Sequence, residues 1–130
     1  MFGYITVGTN DLGAAKAFYD ALLVEVGANC FYADDHMAIY GETTTSPSLM
    51  VTRPYDGEAA SVGNGMMVAL QVGGPDVVDR VHHKALALGG VCEGKPGPRG
   101  SGDVYAGYFR DLDGNKFNAF FSKRRAAADV

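Results

Sequence analysis

The feature that most constrains this fold is a phrase that occurs twice. Tyr4-Ile5-Thr6-Val7-Gly8-Thr9-Asn10-Asp11-Leu12 reads as a strand, a tight turn and the start of a helix that ends near Leu23. The pattern returns 65 residues on: Val7 falls on Val72, Gly8 on Gly73, Asp11 on Asp76, Leu12 on Val77 and Leu23 on Leu88. The offset is half of the 130-residue chain. Apolar, glycine and capping positions align without a gap, which points to duplication of a compact β-α-β-β-β unit. Two such units with curved sheets leave a cleft, and function is expected to lie there.

Residue patterns place the elements. Gly3 to Gly8 alternates and is rich in strand formers. Asn10 or Asp11 offers a side-chain oxygen to the free N–H groups of a helix start. Leu12, Ala15, Tyr19, Leu22 and Leu23 recur at helical spacing as one apolar stripe, and Gly27 is a plausible stop. Strands are expected over Ala28 to Ala33, Met37 to Gly41 and Ser48 to Arg53, with Pro54 ending the last. In the second half, strands are expected at Met66 to Val72, from Val91 to Glu93, at Val104 to Arg110 and at Asn115 to Phe121. The helix opened by Pro75-Asp76 carries Val77, Val81, Ala85 and Leu88 and closes at Gly89-Gly90. Gly94 to Gly102 reads as a long loop. The organisation is therefore α+β: two tandem βαβββ modules forming a half-open, barrel-like curved sheet. Module one spans about 1–54, a linker rich in Gly, Ala and Ser about 55–65, and module two about 66–122, with a frayed tail at 123–130.

Composition narrows the function classes. A chain of this length buries roughly two-thirds of its unfolded surface and needs no staple. The formal net charge of −4 argues against a sequence-independent grip on nucleic acid. Lys123-Arg124-Arg125 is too short for a nucleic-acid patch. The two cysteines, Cys30 and Cys92, form no Cys-x-x-Cys motif and are expected to be buried free thiols. Met1 runs directly into strand-like residues, so no signal peptide is expected. No apolar run approaches the ~18 residues of a membrane span. A reducing cytoplasm is expected.

Two motifs carry a resemblance. Val7-Gly8-Thr9-Asn10-Asp11-Leu12, followed by Ala17-Phe18-Tyr19, resembles the opening of the vicinal oxygen chelate superfamily of glyoxalase I, bleomycin-resistance proteins and extradiol dioxygenases. Tyr108-Phe109-Arg110-Asp111-Leu112-Asp113-Gly114-Asn115-Lys116 resembles its closing signature, with Leu112 where proline is usual. The resemblance covers nearly the whole chain and implies the paired-module fold. It also implies a homodimer, commonly with clefts near or across the interface.

Metal-dependent members of that superfamily draw ligands from the first and last strands of each module. The resemblance puts those positions at Tyr4, at about Met50, at about Met67 and at Asn118. A slip of one residue would reach Leu49 or Val51, and Met66 or Val68. Phenol, thioether and amide groups do not hold a divalent first-row metal as imidazole and carboxylate do. No metal and no other cofactor are therefore expected.

Alternation places Tyr4 and Thr6, Met50 and Thr52, Met67 and Ala69, and Asn118 and Phe120 on the cleft face. The lining is mostly apolar with a few orienting polar groups, as in small-molecule pockets, unless Met50 and Met67 simply fill the barrel. Arg99, on the Gly94 to Gly102 loop, would meet an anionic or carbonyl-bearing ligand if that loop is a lid and not a connector. Tyr105 and Tyr108 face opposite sides of one strand, and Tyr105 is favoured for stacking on a ligand.

Other constellations fall away. His82 and His83 point about 100° apart on a helix and cannot share a metal; solvent exposure or partial packing is expected. His36 belongs to a surface turn. Asp111, Asp113 and Asn115 lack the glycine and the glutamate of a calcium loop, since Lys116 and Ser122 stand at those positions. The Gly94 to Gly102 stretch lacks the Gly-Lys-Ser/Thr ending of a phosphate loop. No catalytic residue is assigned.

The leading expectation is a glyoxalase/bleomycin-resistance-like cytoplasmic homodimer that binds a small organic molecule without a catalytic metal, with neither nucleic acid nor membrane as partner. The alternative is a lyase, isomerase or dioxygenase of the same superfamily. It would need a displaced metal site using His36, His82 or His83, or metal-free acid–base chemistry at Tyr4. A scaffold whose barrel is filled by Met and Phe is the third reading.

Overall fold

Residues 1–128 are described by a computed structural model. The order is β1 (Tyr4–Gly8), α1 (Leu12–Leu22), a 3-10 turn (Leu23–Val26), β2 (Asn29–Ala33), β3 (Met37–Gly41) and β4 (Ser48–Thr52). Then come β5 (Val68–Gln71), α2 (Pro75–Ala87), β6 (Val91–Arg99), β7 (Val104–Arg110), β8 (Lys116–Ser122) and α3 (Lys123–Ala128). Two four-stranded sheets result, ordered β1-β4-β3-β2 and β5-β8-β7-β6. In each the module's first strand pairs parallel with its last, and the remaining pairs are antiparallel. The two modules thus repeat one topology, in α+β sheets that do not close into a barrel.

Local chemistry explains the helix ends. Asp11 caps α1 by accepting from the Ala14 N–H at 3.0 Å. Leu12, Ala15, Tyr19 and Leu22 are buried on its inner face, joined by Phe18. Gly27 ends the following turn at φ +79°, a left-handed conformation that glycine adopts without a Cβ penalty. Pro75 occupies the first turn of α2, where its missing N–H is not needed.

One core serves both modules. Phe18, Tyr19, Leu22, Tyr40 and Val51 pack in the same cluster as Val78, Val81, Phe109 and Phe117. Tyr19 of α1 lies 5.7 Å from Phe117 of β8, ring to ring. Each large side chain buried this way contributes about 1.5–3 kcal/mol. A polar clasp reinforces the joint. The Asp111 carboxylate accepts from the Tyr19 hydroxyl, from the Asp113 and Asn115 N–H groups and from Asn115 Nδ2. Asn115 Nδ2 also donates to the Gly8 carbonyl at 2.9 Å, and the Asn10 N–H donates to Asp113 Oδ1 at 2.9 Å. The closing motif therefore ties module two to the strand–turn–helix phrase of module one.

Four expectations are corrected. Gly94 to Gly102 is not a loop: β6 runs to Arg99, paired with β7 through Gly97–Ala106, Pro98–Tyr105 and Arg99–Val104. Its register shifts between Cys92 and Gly94 and between Gly94 and Gly97. Because β6 is an edge strand, prolines without an N–H are tolerated there. Cys92, where the first irregularity begins, is exposed, and Cys30 is only partly buried. The stripe of α2 keeps Val81 and Ala85 buried and Val77 and Leu88 partly buried against the core, but its fully buried centre also takes in Val78 and His82. His82 is therefore buried, at 6 % exposure, because Gly107 of β7 leaves room beneath it: a Cβ there would lie 3.3 Å from His82 Cδ2. Finally, residues 123–128 form a short helix, not a frayed tail; the rest of the expected tail, residues 129 and 130, lies outside the described residues.

Candidate functional site

Each sheet buries alternate residues in the shared core and leaves the others on a second face, here termed the open face. On sheet one, Val7, Ala38, Tyr40, Leu49 and Val51 are buried. Tyr4, Thr6, Met50 and Thr52 alternate with them and share the open face. The register sets Thr6 beside Met50 and Gly8 beside Thr52, and the Thr6 hydroxyl approaches Met50 Sδ at 3.9 Å. Ile39 and Met37 of β3 continue the same face opposite Met50 and Thr52. Tyr4 is 61 % exposed, so this aromatic and thioether surface is largely uncovered within one chain.

On sheet two, Phe117 and Ala119 join the core while Lys116, Asn118 and Phe120 alternate onto the open face. Asn118 stands opposite Tyr108 on one side and Ala69 on the other. Its side chain is sunk between neighbours, at 5 % exposure, yet its Oδ1 has no hydrogen-bond partner. Arg99 reaches the same face: its guanidinium folds back along β6, donating to the carbonyls of Lys95 (2.6 Å) and Pro98 (3.2 Å), and lies over the Tyr108 ring.

Tyr105 does not join this set. Its hydroxyl donates to Asp79 of α2 at 2.8 Å, on the helix side of the sheet. Asp79 pushes its phenol pKa up, first through that bond. Tyr108 takes the place expected for Tyr105, because residues 104, 106, 108 and 110 share the open face. Tyr108 is the less favoured of the two tyrosines weighed from sequence, and Lys116 is a residue the sequence reading does not single out. The alternation 116, 118, 120 was the signal for Lys116.

Met67 precedes β5 and is 42 % exposed. A cavity of about 210 Å³ brings it together with Thr6, Met66, Asn115 and Lys116 at the seam between modules. A more apolar cavity of about 300 Å³ lies between Ile5, Leu23, Val26, Leu49, Val68 and Leu70. Its walls come largely from the core-facing side of the sheets, so it is distinct from the expected ligand face.

The remaining candidates are dispersed. His36 is exposed in its turn, with its N–H on Asp34 Oδ1 at 2.8 Å. His82 is packed under sheet two with its Nε2 unpartnered, and His83 is exposed. Burial lowers the His82 pKa, opposed by the Tyr108 backbone and Asp79. Among the described residues, no group of three or more His, Cys, Asp or Glu side chains comes together to hold a metal. At Tyr4, Met50, Met67 and Asn118 the donors are a phenol, two thioethers and an amide. That set does not fit the divalent metal of the enzymes this chain resembles.

A sequence model of the Glyoxalase/Bleomycin resistance protein/Dioxygenase superfamily matches residues 1–119. A glyoxalase/bleomycin resistance protein from Albidiferax ferrireducens T118 is 36% identical, with a TM-score of 0.85 over 93% of this chain and 98% of that one. A glyoxalase-related enzyme from Fulvimarina pelagi is 22% identical, with a TM-score of 0.76 over 95% of this chain and 88% of that one. Lactoylglutathione lyase from Agrobacterium tumefaciens is 19% identical, with a TM-score of 0.69 over 95% of each chain. The last two show the shared fold alone. None of the curated proteins matches. No helix among the described residues is long and apolar enough to cross a membrane.

Proposed function

This chain belongs to the Glyoxalase/Bleomycin resistance protein/Dioxygenase superfamily, and from that premise we propose that it binds a small organic molecule, without a catalytic metal, against the open faces of its sheets. The observation that carries this reading is Asn118. A buried amide oxygen that no donor satisfies costs about 1–3 kcal/mol, so such an acceptor is suited to a bound donor group. A ligand that donates a hydrogen bond to Oδ1 removes that cost. Elsewhere on the open faces and at the seam, Met50, Met67, Phe120 and Tyr4 supply apolar and aromatic surface, and Thr6 and Thr52 a few polar groups. Thioethers adapt to varied ligand shapes. Capture of a planar or aromatic compound is the concrete form of this activity.

A second copy of the chain completes the pocket in this reading. Tyr4, Tyr32 and Met67, on the two edges of sheet one and just before β5, are 61 %, 50 % and 42 % exposed, apolar surface that a partner would cover. The free cysteines accord with a cytoplasmic location.

Two measurements test the proposal. Inductively coupled plasma mass spectrometry of untagged protein, purified without chelator, is expected to find less than roughly a tenth of a metal per chain, unchanged by dialysis against Zn²⁺, Ni²⁺, Mn²⁺ or Fe²⁺. A thermal-shift screen of planar aromatic compounds is expected to raise the melting temperature, since a ligand bound only by the native state adds stability. Near-stoichiometric metal that survives washing would instead overturn the ligand positions and favour the metal-dependent enzyme.

A further inference from the structure

On the open face of sheet two, one ring, Tyr108, is flanked by two cations that no carboxylate of the described residues pairs. The guanidinium carbon of Arg99 lies 5.4 Å from the centre of the Tyr108 ring, and Lys116 Nζ lies 5.7 Å from the same centre. Both side chains belong to partly buried residues. Neither has a carboxylate partner among the described residues. By contrast, Arg110 holds Glu93 at 2.5 Å, Lys16 holds Asp20 at 2.8 Å and Arg80 holds Asp76 at 3.2 Å. Arg99 uses two of its N–H groups on backbone carbonyls and keeps three. Lys116 Nζ donates no hydrogen bond among the described residues. Glu93 is the acidic group whose field reaches Lys116, and its carboxylate is already engaged by Arg110. Directly across the ladder from Tyr108 stands Asn118, with its stranded acceptor.

These features are complementary to one kind of ligand. An anionic end placed at the edge of the Tyr108 ring would be offered the guanidinium fork from Arg99 and the ammonium of Lys116, the charge-assisted donors that suit a carboxylate. A donor on the same molecule would reach Asn118 Oδ1. Phe120, two residues on, offers an apolar wall. We propose that Arg99 and Lys116 form the anion-recognising end of the ligand face, and that the ligand is a small aromatic carboxylate bearing a hydroxyl group. This rests on the small-molecule reading above and narrows it to a chemical class.

The test uses the full chain and two probes of nearly the same shape, 3-hydroxybenzoate and its neutral amide, 3-hydroxybenzamide, titrated by calorimetry or NMR. The carboxylate is expected to bind with a Kd of about 1 mM or tighter and the amide about tenfold more weakly. Arg99→Met and Lys116→Met should each weaken the carboxylate about tenfold while leaving the amide nearly unchanged, so discrimination collapses. Lys16→Met, on α1, should leave both affinities alone. Thermal melts of each variant verify folding, and the carboxylate-to-amide ratio reports charge recognition in a way a general loss of structure would not. Equal affinity for the two probes, or discrimination that survives both substitutions, overturns the anion assignment while leaving small-molecule binding in place. No saturable binding of either probe overturns the aromatic-carboxylate class, and the broader screen then decides the wider reading independently.

Discussion

The clasp between modules makes the most quantitative prediction. Tyr19→Phe removes only the hydroxyl that donates to Asp111, since the ring contacts with Phe18, Tyr40 and Phe117 are retained. Tyr19 and Asp111 are 1 % and 4 % exposed, so water does not replace the lost bond. A hydrogen bond to a charged acceptor contributes about 1.5–3 kcal/mol. Asp111 Oδ2 keeps the Asn115 amide at 2.9 Å, which limits the loss to about 2 kcal/mol. For a domain of this size that is a fall of about 6–8 °C in Tm. Asp111→Ala removes all four bonds and strands the Tyr19 hydroxyl, for a loss of about 4 kcal/mol. Urea unfolding of the two single variants and the double variant, followed by circular dichroism, gives the coupling energy directly. A Tyr19→Phe loss below about 0.5 kcal/mol, or additive losses, would refute the view that this contact joins the modules.

Three further outcomes are expected. His82 is buried with its pKa below the unfolded value of about 6.5, so the unfolded chain binds the proton more readily. Stability should therefore fall as pH drops from about 6.5 toward the lowered folded pKa; His82→Leu should flatten that part of the pH–stability curve in denaturant titrations. Asn118→Leu should stabilise the ligand-free protein by about 1 kcal/mol, by removing a buried unpartnered oxygen, and should abolish the ligand-induced thermal shift. Asn118→Glu alone should not create metal-dependent glyoxalase activity, because Tyr4, Met50 and Met67 still offer no strong ligand; zinc- or nickel-dependent turnover in that variant would disprove the site assignment.

What the sequence revealed follows from how local each signal is. The repeat, the Asp11 cap, the Gly27 stop and the strand Met37–Gly41 depend on short-range patterns and match the observed elements. Tyr4, Thr6, Met50 and Thr52 fall on one face because period two is a property of the strand itself. The difficulty came where long-range pairing overrides composition. Gly94 to Arg99 has loop-like residues, yet β7 recruits it as an edge strand with two irregularities. The burial of His82 on α2 depends on Gly107, a residue on another element. Choosing between Tyr105 and Tyr108 required knowing that Asp79 of α2 stands ready for the Tyr105 hydroxyl.

The clasp also gives the repeated halves different jobs. Asp111, Asp113 and Asn115 belong to the turn between β7 and β8, and their partners, Tyr19, Asn10 and Gly8, lie in the first half. The position 65 residues before Asp111 is Ser46, in a turn built from Thr43 and Ser46 hydroxyls with no carboxylate. The two sides of the clasp are thus not interchangeable, and the internal pseudo-symmetry is broken at the joint itself. A chain built from two copies of the first half would carry both sheets but no lock between them. The half that supplies the key has been committed to second place, so the order of the halves is itself part of what the sequence encodes.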